Sequence, residues 1–121
     1  MAIPSGSGTE VLKRATKNDL NNATFSIGTV ASGADVNIGT NHIATILSIF
    51  VHNTSGTSEV WRMDLNDGSN DIRLYGNTSL AGNATFAWND KFILTSGDTL
   101  KITTGSQNFD VLITYIDQDW T

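Results

Sequence analysis

The sequence contains no cysteine, which excludes disulfides, thiolate-ligated zinc and thiol nucleophiles. Proline occurs once, charged residues make up only 16%, and seven Lys and Arg face twelve Asp and Glu for a formal net charge of −5. That balance argues against a partner bound mainly through phosphates, so nucleic acid is not expected. No apolar run approaches the ~20 residues of a membrane helix, and the first residues show no apolar signal-peptide core. Neither a membrane nor a secretory route is therefore expected. Glu, Lys and Ala never cluster at helical spacing, and no window carries an i, i+3, i+4, i+7 apolar stripe.

What is present favours strands. The 121 residues, 39% apolar, suit one acidic, soluble domain. Residues 1–9, beginning MAIPSGSG, read as a flexible arm because Ser and Gly bring little to bury; residues 10–121 read as the folded domain. Period-two segments follow at Glu10–Thr16, Ala23–Val30, Asp35–Ile38, His42–Asn53, Glu59–Asn66, Ile72–Tyr75, Ala84–Asn89, Lys91–Leu94, Thr99–Thr104 and Phe109–Asp117. They predict eight or nine short strands separated by turns such as Ser32-Gly33, roughly every 8–12 residues. The expected fold is all-β: a single antiparallel β-sandwich or a jelly-roll-like domain.

The segment His42–Asn53 is apolar at both parities, with Ile43, Leu47, Ile49 and Val51 at odd positions and Ala44, Ile46 and Phe50 at even ones. A strand apolar on both faces is expected to be covered on both. The second face, with Ile46 and Phe50, therefore predicts burial by a neighbour.

Candidate chemistry is sparse. His42 and His52 have the same parity but lie about 33 Å apart along extended chain, too far to share a metal. Asp64, Asn66, Asp67, Asn70 and Asp71 resemble a calcium loop in composition, yet Gly68 comes one position early and no Glu follows, so a hairpin turn is expected. No G-x-S-x-G elbow, phosphate-cradling glycine loop or distinctive carboxylate pair occurs. Four N-x-[ST] triplets, at Asn22, Asn53, Asn77 and Asn83, match the chance level of so Asn- and Thr-rich a chain. No enzyme, metal or cofactor is expected. Trp61 and Trp88 fall in phase with inward residues and predict core packing. Trp120, beside Asp117 and Asp119, reads as an anchor into a neighbour or as a residue tucked back onto its own sheet. Lys13, Arg14 and Lys17 near one end and Asp110, Asp117 and Asp119 near the other suggest head-to-tail or ring contacts.

The runs NHIATILSIFVHNTSG, EVWRMDLNDGSNDIRLY, LAGNATFAWNDKFILTSGDTLKI and FDVLITYID, with the opening GTEVLKR, resemble small β-sandwich virion proteins of tailed bacteriophages, over about residues 41–117. The shared pattern is an apolar strand, a strand ending in a turn, and a hydrophobic strand followed by Gly97-Asp98-Thr99-Leu100 before the last strand. The resemblance implies a structural role: a capsid decoration, or cement, protein that forms homotrimers and bridges subunits of the major capsid protein, located on the capsid surface after assembly in the host cytoplasm. The alternative is a tail or tail-fibre component that binds a host-surface glycan through an exposed aromatic such as Trp88. For the structural role the expected interface residues are Ile3, Val11, Leu12, Ile46, Phe50 and Trp120.

Overall fold

A computed structural model describes residues 9–29 and 33–120. The expected arm, with Ile3, thus lies outside the described residues apart from Thr9, as do Val30 and Ser32. Ten strands and, among the described residues, no helix make up the fold. They are β1 (Thr9–Leu20), β2 (Thr24–Thr29), β3 (Val36–Ile38), β4 (His42–Asn53), β5 (Glu59–Asn66), β6 (Asp71–Leu80), β7 (Thr85–Trp88), β8 (Phe92–Leu94), β9 (Thr99–Thr104) and β10 (Phe109–Asp119).

The order follows from one long hairpin wound on itself. Its tip is the β5–β6 hairpin, whose turn at Asn66–Asp71 is closed by the Asp67 carboxylate accepting from the N–H groups of Ser69 and Asn70 at 3.0 and 2.8 Å. Gly68 supplies the left-handed backbone there, at φ +99°. Outward from that tip the antiparallel pairs nest: β4 with β7 and β8, β2 with β9, and β1 with β10. Winding the hairpin splits the pairs between two five-stranded sheets. One runs β1-β10-β4-β7 with β8 also on β4, the other β3-β2-β9-β5-β6. This is a jelly-roll order, to which β3 adds a short parallel edge beside β2.

The inward residues of both sheets form one core. β10 contributes Phe109, Val111, Ile113 and Tyr115, β9 Leu100 and Ile102, β2 Phe25 and Ile27, and β5 Trp61 and Met63. These are the faces that the period-two pattern assigns. Trp61 (1% exposed) stacks on Tyr75 with centroids 4.8 Å apart and meets Phe86 edge-on at 4.9 Å, bringing β5, β6 and β7 together.

β4 departs from the expected alternation. Its pairing with β10 runs in step from Phe109↔Asn53 to Thr114↔Ser48, but the next pair is Tyr115↔Ile46. Leu47 is thus the extra residue of a β-bulge, and a one-residue slip exchanges the faces. Ala44 and Ile46 are buried before the bulge, Ile49, Val51 and Asn53 after it. The expectation that Ile46 lies with Phe50 on a second face is corrected: Ile46 is wholly in the core, whereas Phe50 is 39% exposed.

Buried Asn53 secures the end of β4. Its amide donates to the carbonyls of Thr57 and Leu80 at 2.8 and 3.0 Å and its Oδ1 accepts from Ser55 N and Oγ, so every polar atom of the side chain is paired. The loops it joins touch so closely that a Cβ on Gly82 would lie 2.4 Å from the Gly56 carbonyl carbon.

Trp61→Ala removes the largest core side chain. It is expected to lower stability by about 3–5 kcal/mol, read as a drop in the urea midpoint at unchanged slope.

Candidate functional site

The exposed surface of the β1-β10-β4-β7/β8 sheet is the chain's distinctive face. Leu12 pairs with Ile116, Ile116 with Thr45, and Thr45 with Ile93. One row of outward side chains therefore crosses β1, β10, β4 and β8. A second row runs Thr16, Leu112, Phe50 and Ala87 through β1, β10, β4 and β7. Leu12 is 69% exposed and Ile93 49%. Between the rows, Arg14 pairs with Thr114 and Thr114 with Ser48. Glu10 borders the patch and accepts from the Gln118 amide at 2.6 Å.

The opposite outer face, on β2, β9, β5 and β6, is mostly ions and hydroxyls, with Val60 of β5, 41% exposed, among them. Asp64, 3% exposed, accepts from Arg62 Nε at 3.2 Å and from Arg73 Nε. Lys101 reaches Asp71 at 2.9 Å, and Thr24 and Thr103 share a hydrogen bond of 2.9 Å. A solvated sheet face normally looks like this second one. The first face instead sets Leu12, Ile116, Ile93, Leu112 and Phe50 among small and hydroxyl side chains.

At the open end of the core lies a polar cluster. Asp117, 5% exposed, accepts from Lys13 Nζ at 2.8 Å and bonds His42 Nδ1 at 2.6 Å; His42 Nε2 is 3.6 Å from Asp119. Burial pushes the Asp117 carboxyl up, but the hydrogen bonds from Lys13 and His42 outweigh it and hold the group below its ordinary value. The Asp117 hydrogen bond raises Lys13. Of the charges expected to reach toward neighbours, Lys13 and Asp117 meet inside the chain because β1 lies against β10, and Asp110 accepts from Asn18 and from the N–H of Asp19.

The two histidines fall on opposite faces because the bulge lies between them. His42 is with the inward set, whereas His52 is outward, bonded to Thr85 at 2.7 Å. Among the described residues, no group of three or more His, Asp or Glu is placed to hold a metal ion.

Of the expected interface residues, Leu12 and Phe50 stand together on the apolar face. Val11, 45% exposed, has the opposite parity and lies at the rim of the core, opposite Asp117. Trp120 is half-buried against its own chain, its backbone N–H donating to the Asn41 carbonyl at 3.1 Å and its indole nitrogen enclosed, the arrangement expected of a residue tucked back onto its own sheet. Trp88 packs half-buried against the core, edge-on to Phe92 at 6.5 Å, its indole donating to the Asp90 carbonyl. Ile93, Leu112 and Ile116 complete the face and were not among the expected interface residues. The outward parity of Leu112 and Ile116 in the last strand is their sequence signal. Comparison with protein-family models and with curated proteins returns no match.

Because Asp117 is held below its ordinary value of 3.8, its contribution is present above that pH and is lost as pH falls through the lowered folded-state value. Asp117→Ala is expected to cost about 1–3 kcal/mol at pH 7. The gap to wild type should close on acidification below pH ~4, measured by urea unfolding across pH.

Proposed function

We propose that this chain is a structural protein of a bacteriophage virion, a capsid decoration protein that docks on major capsid subunits through the apolar face of the β1-β10-β4-β7/β8 sheet. The observation that supports this reading is the asymmetry of the two outer faces. One carries Leu12, Ile116, Ile93, Leu112 and Phe50; the other carries Arg, Asp, Lys and Thr side chains with Val60 as its exposed large apolar residue. A solitary sandwich has no use for such a difference, whereas a cement protein has one face against the shell and one in water.

The mechanism is mass action. A protein that binds only the expanded shell stabilises that state by its binding free energy. Many copies add avidity, so each contact needs only modest strength. The resemblance to phage virion proteins, over about residues 41–117, points the same way.

The test is co-sedimentation of the full chain with expanded capsids of the phage that encodes it, together with imaging of the particle. Wild type is expected to decorate the shell. Phe50→Asp and Ile93→Asp, both at exposed positions, should cut occupancy at least about tenfold by placing an unpaired charge in the contact, with circular dichroism unchanged. Full occupancy by both variants, or density confined to the tail, rejects the reading.

A further inference from the structure

β1 forms the rim of the apolar face and is the longest regular free edge among the described residues. Among the described residues it pairs only with β10, and that pairing is unbroken from Thr9 to Lys17. The other sheet ends make poorer templates. β3 and β8 have three residues and β7 four, while the pairing of β6 slips around Met63. A long edge with free backbone donors and acceptors invites another strand unless charges guard it. Of the basic residues on β1, Lys13 is drawn away to Asp117.

We infer that β1 pairs antiparallel with the β1 of a second copy about a twofold axis at Leu12, joining the two sheets into one. The free edges must face each other, which keeps both apolar faces on the same side, so each residue meets one of its own parity. Charge then selects the register. Centred on Leu12, the pairing sets Leu12 against the partner subunit's Leu12 and Glu10 against the partner's Arg14, all on the outer face. Centring on Lys13, Arg14 or Lys17 opposes each to itself. Ala15 at the centre opposes Lys13 to the partner's Lys17, and Glu10 at the centre opposes two glutamates. A centre at Val11 sets Glu10 against the partner's Leu12 and brings no opposite charges together. A centre at Thr16 needs a straight strand beyond Lys17, where the register with β10 breaks and Asp19 has φ +54°. The surviving register covers Leu12, the most exposed of the large apolar side chains, and continues the Ile93-Thr45-Ile116-Leu12 row into the second copy. It is independent of the virion reading, and its twofold symmetry differs from the threefold assembly that the resemblance implies.

The absence of cysteine makes single-cysteine reporters unambiguous. In full-length Leu12→Cys, opposed Cβ atoms lie about 4.5–5.5 Å apart, near disulfide range. The cysteines of Thr16→Cys, on the same face, would be about 26 Å apart in this register. Under mild oxidation, Leu12→Cys is expected to form covalent dimers at least about tenfold faster than Thr16→Cys; equal rates or the reverse order overturn the register. By light scattering, wild type should have twice the 13.0 kDa chain mass. Arg14→Glu and Glu10→Arg should each weaken the dimer at least about tenfold, and the double exchange should restore it. A wild-type monomer up to about 1 mM, a trimer mass, or a double variant no better than the singles overturns the proposal.

Discussion

The single extra residue in β4 governs how this molecule distributes its apolar side chains. A twelve-residue strand with strict period two would present Ile43, Leu47, Ile49 and Val51 to one side and Ala44, Ile46 and Phe50 to the other. The bulge at Leu47 lets the core take Ala44 and Ile46 from one parity and Ile49 and Val51 from the other. It also sends His42 into the Asp117 cluster and His52 to the outer surface. Bulges commonly re-aim side chains in this way, at the cost of one ladder position. The core thus fills without a large residue left over, while Phe50 remains for the outer face.

That economy sharpens the contrast between the two outer faces. On the β2-β9-β5-β6 side, Asp64 is nearly covered by two arginines, each itself 40% or more exposed. Pairs of this kind contribute little to stability individually, but they keep the face wet. On the β1-β10-β4-β7/β8 side the first row ends at Leu12 and Ile93, the two most exposed large apolar residues among those described. Hydrophobic contact is non-directional, so such a face tolerates several partner shapes; the few charges at its margin, Glu10 and Arg14, supply orientation.

The wound-hairpin topology explains why charges distant in the sequence meet at short range. Pairing the first strand with the last sets Lys13 beside Asp117 and Asn18 beside Asp110. The Lys13–Asp117 pair thereby becomes an internal fastening, and the same pairing makes β10 a central strand and β1 an edge. The rim of the apolar face and the free strand edge coincide for this reason.

Much of the fold was legible in the sequence. Alternation at Phe25 and Ile27, Trp61 and Met63, Leu100 and Ile102, and Phe109 to Tyr115 names the inward faces because side chains on a strand point alternately to its two sides. Asn66–Asp71 reads as a hairpin turn, and the boundaries of β4, β5 and β9 follow from the turn chemistry around them. Leu12 and Phe50 were legible as surplus apolar residues. The bulge was not, because an extra residue leaves no mark in a segment apolar at every second position of both parities. Nor was the fate of Trp120, which depends on where the turn before β4 lies. Sequence alone determined where most strands lie and which alternating side chains turn inward, since both are local properties, although β1 and β6 run on to Leu20 and Leu80, past the Thr16 and Tyr75 at which the alternation ends. Tertiary structure decided which strands neighbour one another, which parity of β4 turns inward on each side of Leu47, and which sheet keeps the more apolar outer face, because those depend on register between residues as distant in the chain as Thr9 and Asp119.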